Sequence, residues 1–217
     1  MNFYVEDTPR EFEICPAGMH LARCYSIVDL GTQRNDYMGQ VKFLPKIRIS
    51  WEVHGTDDNG QLIRMKDGRP FGVYFDYTHS WSPKSNLRLD LQSWRNKPFS
   101  EEEVQRFDLG KLLDQFCMLN IINHKSQNGK IYANIKGVNP VPSIIKQAGL
   151  PKGVNPTKLF NLKKPDIDVF ESLPESVKNK VKSSPEWQKL FGQNLPQESF
   201  VQTSKPDSDA LDSDIPF

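Results

Sequence analysis

The sequence predicts a mainly β fold, with a helical segment between its third and fourth strands and a Pro-rich C-terminal extension. Three observations predict it. Apolar residues alternate with polar ones from Lys46 to Val53, the strand period of two. The spacing turns helical over Ser85 to Asn96 and returns to strand character at Gln115. Ten of the sixteen prolines follow residue 139, which rules out a compact sheet in the last third of the chain.

Met19 to Leu30 (MHLARCYSIVDL) is apolar and β-branched with polar residues at intervals, so it reads as the first strand, ended by a loop over Gly31 to Gly39. In the second, Gln40 to His54, Ile47, Ile49, Trp51 and Val53 share one face, and Lys46, Arg48, Ser50 and Glu52 the other. This predicts a half-buried strand with a basic outer face. Phe71 to Trp81 (FGVYFDYTHSW) is the third strand, stopped by Ser82 and Pro83. Leu87, Leu91 and Trp94 then recur at helical spacing, and a second helix opens at Ser100, where SEEE supplies an N-cap and an acidic first turn, and runs towards Leu112 and Leu113. Gln115 to Lys125 and Lys130 to Val138 flank an Asn-Gly turn and complete a hairpin. Short helices are expected from Pro174 to Lys182 and near Pro185 to Phe191.

Three strands, a helical segment and a two-strand hairpin form the connectivity of the five-stranded OB barrel. Another small barrel or a half-open sandwich produces the same string. The chain divides into residues 1–140 as an OB-fold domain, 141–192 as a basic Pro-rich connector with short helices, and 193–217 as a disordered acidic tail. Charge follows this division: 18 basic against 17 acidic residues up to 139, 9 against 5 from 140 to 192, and 1 against 5 thereafter.

Other features narrow the function. No stretch approaches the ~20 apolar residues of a membrane helix, and the acidic start of the chain lacks a signal peptide's pattern, so a cytoplasmic protein is expected. Cys15, Cys24 and Cys117 are too few and too widely spaced for a disulfide framework or a metal knuckle, and read as reduced, buried thiols. His20, His54, His79 and His124 are scattered, and phosphate-loop, nucleophile-elbow and zincin motifs are absent. Asp57, Asp58 and Glu101 to Glu103 fit a turn and a helix N-terminus. A non-enzymatic protein with neither metal nor cofactor is expected.

The tail ends in an unusual way. Aspartates, among them Asp212 and Asp214, precede Ile215, Pro216 and Phe217, although the end of a polar tail has no use for a bulky apolar group unless something binds it. Phe217 supplies an aromatic anchor, its carboxylate suits a basic nest, and the aspartates steer the segment to a positive rim. This DSDIPF ending resembles the acidic tip by which bacterial single-stranded DNA-binding proteins recruit replication, repair and recombination enzymes. MHLARCYSIVDLGTQ together with KSNLRLDLQSWRNKPFSEEE resembles, over residues 15–140, a phage-encoded group of OB-fold single-stranded DNA-binding proteins.

The resemblance implies a viral protein, in the cytoplasm of a bacterial host, that binds and protects single-stranded DNA during phage DNA replication and recombination. Bases stack on aromatic faces while cations track phosphates. Lys42, Lys46 and Arg48 share a strand face with Tyr74 on the polar side of the third strand. Arg34 and Tyr37 in the loop, and Trp81, Lys84 and Arg88 at the strand-to-helix junction, extend the groove. Trp51, Phe75, Tyr77 and Trp94 are assigned to the core. Expected partners are single-stranded DNA and replication or repair proteins of host or phage, and a homodimer is left open. The alternatives are a metal-dependent DNA-processing enzyme such as a nuclease, and an adaptor that occupies host enzymes through its tip without touching DNA.

Overall fold

The computed structural model describes residues 13–192 apart from Met38, Asp58 and Gln127. The tail 193–217, including Asp212, Asp214, Ile215, Pro216 and Phe217, lies outside the described residues.

The five expected strands are β1 (Gly18–Tyr37), β2 (Gln40–Val53), β3 (Gly72–Thr78), β4 (Phe116–Lys125) and β5 (Ile131–Asn139). They form an antiparallel sheet in the order β3-β2-β1-β4-β5, and a sixth strand, β6 (Lys158–Phe160), pairs in parallel with Ser26–Val28 of β1. β4 pairs with β1 only from Gly18 to Arg23, which leaves the next stretch of that edge free for β6. The sheet is not closed: β3 and β5 lie at opposite ends of the strand order, with no ladder joining them. The fold is therefore mainly β, but the closed five-stranded barrel is not what the ladders form.

One expectation for β1 is corrected. Gly31 to Gly39 is not a loop, because β1 continues through it to Tyr37 and the turn falls at Gly39. Gly31 (φ 68°) sits where the β1–β2 register shifts between Asp29 and Gly31, so it marks a bulge that bends the strand without ending it. A Cβ at Gly31 would come within 2.5 Å of the Ser184 Cβ, so a glycine there also lets the C-terminal extension approach β1.

Helix α1 (Asn86–Arg95) starts at Ser85, whose side chain accepts the Arg88 N–H, and stops at Asn96 in the left-handed conformation. Leu87, Leu91 and Trp94 are buried, as their spacing predicts. Helix α2 (Glu101–Arg106) has a reciprocal capping box between Ser100 and Glu103. It ends before Leu112, contrary to the expected run, because Asp108 turns its side chain onto the Gly110 N–H and opens a separate 3-10 turn, Leu109–Leu112. The main core lies between the sheet and these helices and includes Trp51, Tyr77, Leu91 and Trp94, with Phe75 packed against it. The three cysteines are free and buried.

Residues 141–192 hold α3 (Ser143–Ala148), β6, α4 (Ile167–Glu171), α5 (Glu175–Lys182) and α6 (Pro185–Phe191). The last two match the expected short helices. α4 to α6 and β6 build a second hydrophobic cluster, in which Phe160, Phe170, Val181 and Trp187 pack with Val28 and Leu30 of β1. The segment is thus bound to the sheet through a core of its own. Among the described residues, no helix is long and apolar enough to cross a membrane.

Candidate nucleic-acid interface

In β2, Lys42, Lys46, Arg48 and Glu52 alternate with the core residues and so share one face, and Tyr74 and Asp76 of β3 stand opposite Ser50 and Arg48. The expected grouping of Lys42, Lys46, Arg48 and Tyr74 on one face is present. The expected solvation is not: β2 is buried on both faces from Lys46 to Val53. The cause is the C-terminal extension. Lys180 of α5 reaches Asp76 at 2.8 Å, its carbonyl accepts from Gln33, and the 153–155 loop covers Glu52.

Arg48 donates to Asp76 through Nε at 2.6 Å and Nη2 at 2.7 Å, a two-point contact that fixes the guanidinium plane. Its Cζ lies 3.7 Å from the centroid of the Tyr74 ring. Tyr74 is nonetheless 56% exposed, so a planar cation holds one side of a ring that solvent still reaches. Burial alone raises the Asp76 carboxyl, but hydrogen bonds and charge from Arg48 and Lys180 outweigh it and leave the pKa below the ordinary value. Burial likewise opposes the Arg48 charge, and Asp76 more than restores it.

Lys46, also buried, stands between Gly31 of β1 and Thr78 of β3, while Lys42 is exposed opposite Asn35. Arg34 is exposed, pairs with Asp36 at 3.3 Å and lies opposite Phe43 in the same hairpin. The backbone of Tyr37 closes β1 opposite Gln40; its side chain is outside the described residues. Lys84 is exposed at the approach to α1.

Two expected groove residues take other roles. Arg88 is buried and donates to the carbonyls of Trp81 at 3.0 Å and Phe99 at 3.4 Å and to Glu101 at 3.1 Å. Trp81 packs edge-on against Phe99 and Phe107. Both hold α1 and α2 together, and four of the five guanidinium N–H groups of Arg88 already donate to Gln92, Trp81, Phe99 and Glu101.

Sequence reasoning missed other exposed groups of the right chemistry. Phe43 is 66% exposed on the β1–β2 hairpin, and Tyr132 is 46% exposed opposite His124 on the β4–β5 hairpin, whose tip also carries exposed Lys125 and Lys130. Phe43 keeps the parity of the core residues Ile47 to Val53, so no signal in the sequence set it apart. Missed too was Glu52, fully buried, which receives Arg23 Nε at 2.8 Å, the N–H groups of Val154 at 2.8 Å and Asn155 at 2.7 Å, and Asn155 Nδ2 at 2.7 Å, with His54 Nε2 2.9 Å away. Burial pushes its carboxyl up, and these donors more than reverse the effect, bringing it down to about 2. Arg23 also pairs with Asp114 and donates to the Asn155 carbonyl. Among the described residues, no group of three His, Cys, Asp or Glu side chains is placed to hold a metal ion.

Compared with known proteins, the chain matches no protein-family model, and no curated protein matches it.

Proposed function

We propose that the chain is a non-enzymatic single-stranded DNA-binding protein of phage DNA replication, recombination and repair, binding with little regard to sequence. The observation that carries this reading is the pairing of Tyr74 with Arg48. A half-exposed ring whose inner side rests on a locked guanidinium is a pre-formed platform for an unpaired base, and stacking tolerates any base because each has a π-face. Lys42 on the same face and Lys180 at its edge supply charge for the phosphates.

The strand order β3-β2-β1-β4-β5, with α1 between β3 and β4, supports reading the open sheet as an OB-type barrel that stops short of closure. In such folds, oligonucleotides lie across strands 2 and 3 and the loops between strands 1 and 2 and between 4 and 5. Phe43 and Tyr132 stand at those two hairpins. The DSDIPF tip recruits replication or repair proteins.

Fluorescence anisotropy with oligo-dT, the matching duplex and RNA tests the reading. Binding is expected to favour the single DNA strand, to hold across base compositions and to weaken as salt rises. Equal binding of the duplex, or none of any oligonucleotide, overturns it. Cleavage in magnesium would point instead to a nuclease.

A further inference from the structure

Residues 115–165 hold eight lysines and no aspartate or glutamate, while the rest of the chain carries 20 basic residues against 27 acidic ones. The fold gathers much of this stretch on one surface. Met19 and Leu21 of β1 alternate with buried His20 and Ala22, so they share the face of the sheet turned away from the main core. Met118 of β4 stands opposite Leu21, Ile122 and His124 follow at the same parity, and Tyr132 of β5 faces His124. This floor is open, with Met19, Ile122 and Tyr132 all exposed. Lys125 and Lys130 at the hairpin tip and Lys136, the extra residue where the β4–β5 register shifts, are exposed around it and have no ion-pair partner among the described residues.

The crossing of residues 152–155 forms the other border. Val154 and Asn155 donate to Glu52 there, and a Cβ on Gly153 would overlap the Arg23 guanidinium, so the chain lies tight on the sheet, with Lys152 and Val154 exposed on its crest. Glu52 beneath the crossing and Asp114 beside it both receive Arg23. The crossing therefore divides the face turned from the core in two. Tyr74 and Arg48 lie on the β2–β3 side; on the other side, an apolar and aromatic floor has a rim of unpaired lysines. We propose that this β1–β4–β5 surface is a second compartment for an unpaired nucleic-acid strand, with bases on Tyr132, His124 and the apolar floor and phosphates at Lys125, Lys130 and Lys136. Lys152 holds the strand where it crosses from the Tyr74 side. The facing rings of Tyr132 and His124 offer π-faces to bases, and the floor continues the face already assigned to DNA. The proposal rests on the DNA reading and extends it: one strand fills both compartments.

The test is lysine acetylation of the full-length chain, read by mass spectrometry with and without oligo-dT of about 30 nucleotides, longer than one OB domain covers. Lys125, Lys130, Lys136 and Lys152 are expected to be shielded together with Lys42, while Lys97, exposed just after α1, stays reactive. Shielding of Lys42 without the other four overturns the proposal and leaves the DNA reading standing. Shielding of none, with no binding by anisotropy, overturns both. Equal shielding of Lys97 overturns the proposal in favour of coating without a site, and shielding that appears on concentrating the protein without DNA overturns it in favour of a second copy. A chain with Lys125→Gln, Lys130→Gln and Lys136→Gln, all at exposed positions, is expected to flatten the fall of log K with log salt by about two units, as three lost phosphate contacts require. An unchanged slope in that folded chain overturns the assignment of the three lysines to phosphates, and with it the compartment.

Discussion

Lys180 of α5 donates to the Asp76 carboxylate of β3 at 2.8 Å across 104 residues of sequence, and the same carboxylate holds Arg48 by two hydrogen bonds. One acidic group thus pairs with two cations on the face proposed to meet DNA, offsetting one of their two charges, and ties the C-terminal extension to the sheet.

Replacing Asp76 with Asn removes that offset. Asp76→Asn is expected to strengthen oligo-dT binding at low salt and to steepen the fall of log K with log salt by about one unit. It should also cost on the order of 2 kcal/mol of stability, because Arg48 is left buried without its carboxylate. Salt titrations and urea melts check both, and weaker low-salt binding by a folded variant would refute the electrostatic account.

Tyr74→Ala is expected to cost about 1 to 3 kcal/mol of oligonucleotide affinity, with Tyr74→Phe close to the unaltered protein, since stacking needs the ring and not the hydroxyl. Trp81→Ala should behave differently. Its ring packs on Phe99 and Phe107, so the loss belongs to stability, about 2 to 3 kcal/mol for a half-buried aromatic, with little change in affinity per folded molecule.

Phe43→Ala and Tyr132→Ala alter exposed side chains and should leave the melting temperature nearly unchanged. Each is expected to weaken oligo-dT binding, by up to about tenfold if one base stacks there. Anisotropy in moderate salt measures this, and unchanged affinity in the double variant would remove both hairpins from the interface.

Glu52 makes stability depend on acid. Its folded pKa, about 2, lies below the ordinary 4.5, so its contribution is present above about pH 4.5 and is lost as pH falls towards 2. The stabilisation is on the order of 2 to 3 kcal/mol. Urea melts of the unaltered protein and of Glu52→Gln, compared at pH 7 and pH 3, are expected to differ less at the lower pH. A gap that stays constant would exclude the linkage.

Gly31→Ala places a methyl against Ser184 at a backbone of positive φ, and is expected to loosen α6 from β1. Strain of about 1 to 2 kcal/mol is expected from the backbone alone. Limited proteolysis should then cut residues 158–191 faster, while the β1–β4 region stays resistant.

The sequence by itself determined whatever depends on near neighbours. Alternation placed Ile47 to Val53 in a strand with its core face correct, Ser85 and Ser100 announced the starts of α1 and α2, and the spacing of Leu87, Leu91 and Trp94 identified a buried helix face. These are contacts within one or two turns, or the two faces of one strand, and local geometry settles them. Only the tertiary structure decided what covers what. Arg48 and Glu52 read as part of a solvated face because nothing near them in the chain could bury them; Asn155, which donates to Glu52, and Lys180, which reaches the Asp76 partner of Arg48, come more than a hundred positions later. Gly31 read as a turn because a glycine that ends a strand and one that bends it look alike until the partner strand's register is known. Phe43 and Tyr132 hold strand positions that a core would ordinarily cover, and their exposure follows from where the hairpins leave the sheet, which no local pattern encodes.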